Sequence, residues 1–218
     1  MSIYTGRRSQ MVVPRLLPNM DVIEFGATAN TMAAFLGTGG ASVSNLVTPV
    51  PMGAPWNLID SSVANYIMAN QDTERSGGTT SLNSTSPNNS YVLSAIFLLG
   101  FNYGTPTVYS GYDFPDFDAG APQDSAGITN AVTCFANGFR CEHRFVAIAN
   151  MVAYHNAVGS GALTDVVVGT SQQVAFGRGS AGFLIINNDA STWSKNFTTS
   201  LKSGTYCDIM YDAMTHAS

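Results

Sequence analysis

The chain has 218 residues, with nine Lys and Arg against fourteen Asp and Glu, which gives a formal net charge of −5 and a pI near 4.9. Charged residues make up 11% against about a quarter in an average soluble domain, and 45% are hydrophobic, a balance that excludes disorder for most of the chain. Nine scattered basic residues leave no cationic stripe of the kind that neutralises phosphates, so nucleic acid is not an expected partner. The longest apolar runs, such as Ile96 to Leu99, fall far short of the ~20 residues that cross a bilayer, so no membrane partner is expected either.

Residues 1–19 contain the pair Arg7 and Arg8, then an apolar run broken by Pro14 and Arg15, and they lack the continuous apolar region of a secretory signal. Val22 to Phe25 reads as a short strand, and Ala27 to Leu36 as a helix stopped by Gly37. Gly37 to Ser44 is loop, and Pro49, Pro51 and Pro55 keep the next stretch irregular. Val63 to Ala69 is a buried strand whose carboxyl end runs into the polar cluster Asn70 to Arg75. Ser76 to Asn89 is a long polar loop, with Asn88, Asn89 and Ser90 placed to cap a buried helix over Tyr91 to Phe101. Thr107 to Tyr112 then returns as a strand, and a strand–helix–strand order favours a parallel sheet covered by helices.

Asp113 to Asn130 is an acidic loop, in which Asp113, Asp116, Asp118 and Asp124 do not follow the calcium-loop spacing of an EF-hand and lack its closing Glu. Cys141 to Val158 reads as a helix with Cys141, Phe145, Ile148 and Val152 along one face, stopped by Gly159 and Gly161. Beyond residue 165 the period becomes that of strands, expected at Val174 to Phe176, Phe183 to Ile186, Phe197 to Leu201 and Tyr206 to Met210, with hairpin chemistry at Gly177 to Gly182 and at Asn187-Asn188-Asp189.

The polar, weakly charged composition and the sequons at Asn83, Asn88 and Asn196 have an extracellular character. Of three cysteines, Cys134 and Cys141 are close enough in sequence to close a small loop, which leaves Cys207 unmatched; three reduced, buried thiols are the alternative. In parallel α/β folds ligands bind at the carboxyl ends of the strands. Asp72 is therefore the leading candidate carboxylate, the competing readings being a helix cap or an ion pair with Arg75. Ser110 lacks a nucleophile-elbow motif, and Cys141 with His143 is too small a set for zinc.

The run Cys141-Glu142-His143-Arg144-Phe145, continued by Ile148-Ala149-Asn150-Met151-Val152-Ala153-Tyr154-His155-Asn156, resembles the CEHRW…IxNMVxFRN helix of α-amylases. Gln173 to Gly179, Gly182 to Asp189 and Gly204-Thr205-Tyr206-Cys207-Asp208 are similar to the opening strands of that family's C-terminal β domain. Met68-Ala69-Asn70-Gln71-Asp72 is similar to its strand-7 motif, and Gly104 to Tyr112 to its strand 8. The resemblance covers about residues 20 to 210. It implies a fold of α/β plus β: strands 6–8 of a (β/α)8 barrel over residues 20–164, then the first half of an antiparallel Greek-key β domain over 165–218, with 1–19 unassigned.

By the same resemblance, the family is one of secreted retaining glycoside hydrolases acting on α-1,4-linked glucan, in which a nucleophile and an acid must sit about 5–5.5 Å apart. The third, sugar-gripping carboxylate falls on Asp72, with Gln71 beside it where the family has His, and Asn70 matches a chloride ligand whose arginine partner is replaced near Thr107. Cys134 with Cys141 matches an expected bridge, and the partner of Cys207 is expected just past Ser218. The nucleophile and acid have no counterpart here, and the calcium that the family implies has its ligands outside this chain. The expectation is a C-terminal fragment, inactive alone, with no protein partner evident. The alternatives are a non-catalytic carbohydrate-binding product or an incomplete gene product.

Overall fold

A computed structural model describes residues 21–76 and 82–210. Its first half is a parallel sheet in the order β1-β2-β3, made of β1 (Val22–Ile23), β2 (Ala64–Ile67) and β3 (Thr105–Thr107). Val22 aligns with Ala64, and Asn65 to Ile67 with Thr105 to Thr107. Helix α1 (Phe25–Leu36) follows β1 directly, so the expected strand at Val22 to Phe25 is halved. Glu24 takes over as N-cap, its Oε1 accepting from the Gly26 amide while Oε2 accepts from Ile59 N–H at 2.8 Å. Gly37 ends α1 at φ 65°, a left-handed conformation that favours a residue without a Cβ.

Helix α2 (Thr73–Ser76) is a single turn after β2, and α3 (Ser90–Gly100) is buried on nearly every side, as its apolar sequence predicts. The expected side-chain cap on α3 is absent. Asn88 and Asn89 are left-handed, Asn89 makes no capping bond, and a 3-10 turn over Pro87–Asn89 leads into the helix. The strand expected at Thr107 to Tyr112 pairs with β2 only over Thr105–Thr107; further on the backbone leaves the sheet, and Tyr112 instead makes an isolated antiparallel bridge with Phe139.

Cys141 to Val158 is not one helix. A 3-10 turn over Glu142–Arg144 is separated from α4 (Val146–Val158) by Phe145, whose ψ of 125° breaks the helix. The break resets the helical phase, so Ile148, Met151 and Val158 face inward and Val152 is exposed.

The second half is an antiparallel sheet of β4 (Leu163–Val168), β5 (Gln173–Arg178) and β6 (Gly182–Asn187), in that order. The hairpin between β5 and β6 forms where its turn chemistry places it. The strands expected at Phe197 to Leu201 and Tyr206 to Met210 do not form, so Asn187-Asn188-Asp189 ends β6 without turning into a second hairpin. There Phe197 packs on Trp193 and Phe183, and Ser200 N–H donates to Asp165. Strand β4 was not anticipated, because Asp165 sits at φ 51° beside a register shift that interrupts its alternation.

The two sheets share one core. Phe97 and Phe101 of the α3 region stack at 4.8 Å, and each meets Phe176 of β5 edge-on at about 6 Å. Arg178, 2% exposed, closes the seam. It donates to the carbonyls of Gly100 and Phe101 at the end of α3, to Gly159 at the end of α4, and to Gly161 before β4. Those are orphan helix-end acceptors, and a planar cation with several donors satisfies them together. Gln172 and Asn188 likewise donate to the Ala34 and Phe35 carbonyls at the end of α1. Cys134 and Cys141 form a disulfide, and Cys207 is free and exposed.

Candidate functional site

The carboxyl ends of β2 and β3 lie side by side, as neighbours in a parallel sheet must. After β2 the chain turns at Asn70, whose Oδ1 accepts from the amides of Asp72 and Thr73 at 3.1 and 2.8 Å, while the Asn70 N–H donates to Thr73 Oγ1 at 2.9 Å. Asn70 is therefore the cap of the α2 turn. Asp72 fills neither structural role open to it. It does not cap, and Arg75 is turned elsewhere, donating to the Phe117 and Ala119 carbonyls and lying over the rings of Tyr112 and Phe114. Asp72 and Gln71 are both exposed, and the Asp72 carboxylate has no partner among the described residues.

Beneath this turn lies a buried charged cluster that sequence reasoning did not single out. Glu74, 4% exposed, pairs with Arg140 at 3.3 Å and accepts from the Tyr109 hydroxyl at 3.3 Å. Glu142, 1% exposed, accepts from the Gly111 amide at 2.9 Å. Arg140 also pairs with the exposed Asp113 at 2.8 Å and lies over Phe114. Burial pushes the Glu74 carboxyl above its usual value, opposed by Arg140 and by the Tyr109 bond and reinforced by Glu142. Burial and the Glu74 charge push the Tyr109 phenol up to about 12. A backbone approach is part of the design, since a Cβ on Gly111 would sit 3.2 Å from both Glu74 carboxylate oxygens.

The cluster ties the Asp72 turn to the loop that the Cys134–Cys141 disulfide closes, because Arg140 adjoins Cys141 and its amide donates to Gly111. Two signals for it were present in the sequence: Glu74 in the polar run after β2, and Glu142 beside Cys141. Neither announces burial. At the rim, Ser110 Oγ lies 2.6 Å from His143 Nδ1.

Among the described residues no group of three or more His, Cys, Asp or Glu side chains is placed to hold a metal. The Asn70 carboxamide oxygen accepts from two backbone amides, which leaves its Nδ2 as the group that could face an anion, and Thr107, near which the resemblance has its arginine, is exposed and uncharged.

Comparison with known proteins bears on the whole of this arrangement. The family model for the α-amylase C-terminal all-beta domain matches residues 165–217. An α-amylase of Streptomyces violaceus is 31% identical over 93% of this chain and 37% of its own, and one of Tenebrio molitor is 35% identical over 87% and 40%. The crystal structure of α-amylase I from Eisenia fetida superposes with a TM-score of 0.81 at 30% identity, over 87% of this chain and 40% of its own. The chain belongs to the α-amylase family. It spans about two fifths of the length of the relatives it matches. A mutant of the Eisenia enzyme has been crystallised with maltohexaose, with a TM-score of 0.80 to this chain.

Proposed function

We propose that this chain is the glucan-gripping part of a secreted α-amylase that cleaves α-1,4-glucosidic bonds internally with retention of configuration. On this reading β1, β2 and β3 are barrel strands 6 to 8, and the sheet β4–β6 opens the β domain. The observation that carries it is Asp72, an exposed carboxylate without a partner among the described residues, at the carboxyl end of the middle parallel strand. A carboxylate placed so accepts hydrogen bonds from two sugar hydroxyls and holds the ring as it flattens toward an oxocarbenium-like transition state. Gln71 adds an amide donor and acceptor at the same rim, uncharged where the family resemblance has an imidazole. The maltohexaose complex of the Eisenia relative supports a linear α-glucan as the ligand.

Of the family's three carboxylates, Asp72 alone has a counterpart in this sequence, so this polypeptide does not hydrolyse starch by itself. A nucleophile and an acid about 5–5.5 Å apart are both needed for the covalent intermediate. Titration calorimetry of the full chain with maltohexaose is expected to show binding that weakens about 10–100-fold in Asp72→Asn, the size of one or two lost charge-assisted bonds, while incubation with soluble starch releases no reducing ends. Equal binding by both proteins would remove Asp72 from the role, and reducing ends that vanish in Asp72→Asn would overturn the inactivity.

A further inference from the structure

Three sequons occur in the sequence, and the structure separates them. In Asn88-Asn89-Ser90 the hydroxyl-bearing residue is withdrawn: Ser90 is 3% exposed, begins α3 and donates its Oγ to the Pro87 carbonyl. In Asn83-Ser84-Thr85 the asparagine is half-buried, and its Oδ1 accepts from both the amide and the hydroxyl of Thr85 at 2.9 and 2.6 Å. Asn196-Phe197-Thr198 differs from both. Asn196 and Thr198 are exposed, the segment 192–199 has no regular structure, and Asn196 has no hydrogen-bond partner among the described residues.

The middle residue of that sequon fixes its orientation. Phe197 meets Phe183 of β6 at 5.6 Å and Trp193 edge-on at 5.1 Å, and three residues further Ser200 N–H is held by Asp165 of β4 at 2.7 Å. In an extended segment alternate side chains point to opposite sides. With Phe197 anchored on the sheet, Asn196 and Thr198 are turned to solvent with room for a bulky substituent.

We infer that Asn196 is an acceptor for N-linked glycan. The donor is a lipid-linked diphosphate oligosaccharide. Asn196 Nδ2 attacks the anomeric carbon, the C–N bond forms as the carbon–oxygen bond to the diphosphate breaks, the lipid diphosphate leaves, and Nδ2 gives up a proton. The product stands beside the outward face of the second sheet, where Phe183 and Trp193 are half-buried and Ile185 is exposed, and it keeps that apolar face hydrated.

The inference rests on the secretory placement proposed above, and the test is arranged so that the two fail separately. The full chain is translated behind a supplied cleavable leader in a cell-free system containing rough microsomes, and only the protease-protected fraction is read, so lumenal delivery does not depend on the chain's native address or on folding. The expected result is a discrete upward mobility step that is lost in Asn196→Gln and in Thr198→Ala, kept in Thr198→Ser and in Ser90→Ala, and reversed by a glycan-removing amidase that leaves Asp at position 196 in the mass spectrum. A protected chain unmodified at residue 196, or a full step that survives Asn196→Gln, overturns the inference. Secretion without a glycan at Asn196 would leave the placement intact and remove only the site.

Discussion

The parallel and antiparallel sheets each have three strands, but they are held by different means. The parallel strands are two, four and three residues long, so their ladders contribute few hydrogen bonds, and each strand reaches its neighbour across tens of residues. The antiparallel strands are six residues each and adjacent in sequence, and β5 pairs with β6 without interruption from Gln173 to Arg178. A short parallel ladder leans on its covering helices and on cross-loop links, here Glu74 to Arg140 and the Cys134–Cys141 bridge. The candidate site sits on the sheet with the shorter ladder, and the buried Glu74–Arg140 pair ties its turn to the loop that the disulfide closes.

The largest effect should come from the residue that joins the two regions. Arg178→Met leaves four carbonyls without their charged donor, and bonds to charged groups are worth about 1.5–3 kcal/mol each. With partial replacement by water, a loss of about 3–5 kcal/mol is expected. Differential scanning calorimetry should show the single transition split or fall steeply; an unchanged transition would mean the sheets fold without the clamp.

Replacing both Cys134 and Cys141 by Ser frees a loop with a sequence separation of 7, worth about 2–3 kcal/mol on the chain-entropy account. Denaturant unfolding followed by hydrogen exchange should place the loss in the parallel half, around Tyr109 to Tyr112, and spare the amides of β5 and β6. Exchange that rises equally in both sheets would erase the contrast between them.

Gly100→Ala probes the seam at a single atom, since the new Cβ would run into Leu184 Cδ2. Overpacking of this kind costs about 1–3 kcal/mol. The double variant with Leu184→Ala should recover more of that cost than additivity allows, measured by a thermodynamic cycle.

A pH titration addresses the parallel half by itself. The folded-state value of Glu74 lies above its unfolded one, so between the two the native state holds more protons. Its contribution to stability therefore falls as pH rises through that window, opposite to the usual salt-bridged carboxylate. The Tm difference between the native chain and Glu74→Gln should shift toward the variant across that range; a difference flat with pH would sink this assignment. The smallest effect belongs to Asp72→Asn, expected within about 0.5 kcal/mol of the native stability because the side chain is exposed and unpartnered.

What was legible in the sequence was what local chemistry decides. The Ala- and Met-rich run before Gly37 forms its helix, the turn chemistry at Gly177 to Gly182 joins β5 to β6, and the position of Asp72 after a buried strand followed from a pattern of apolar then polar residues. Failures arose where one residue's backbone overrode a periodic pattern. Phe145 breaks a helix that the spacing of Cys141 and Ile148 made continuous, and Asp165 hides β4 behind a bulge. Tyr109 and Tyr112 have strand-forming side chains that serve buried Glu74 and the Arg75 cation instead. The Glu74, Arg140 and Glu142 cluster was illegible for another reason. Burial of a charge depends on a partner 66 residues away, which no local window contains.

The caps on α1 have a consequence in time. Its last carbonyls are satisfied by Gln172 and Asn188, which lie 138 and 153 residues further along the chain from Ala34 and Phe35. Those two bonds can close only after the second sheet has been added to the growing chain. Contacts of such sequence separation are costly to close and slow to form. The carboxyl end of α1 is therefore completed only once β5 and β6 have docked against it.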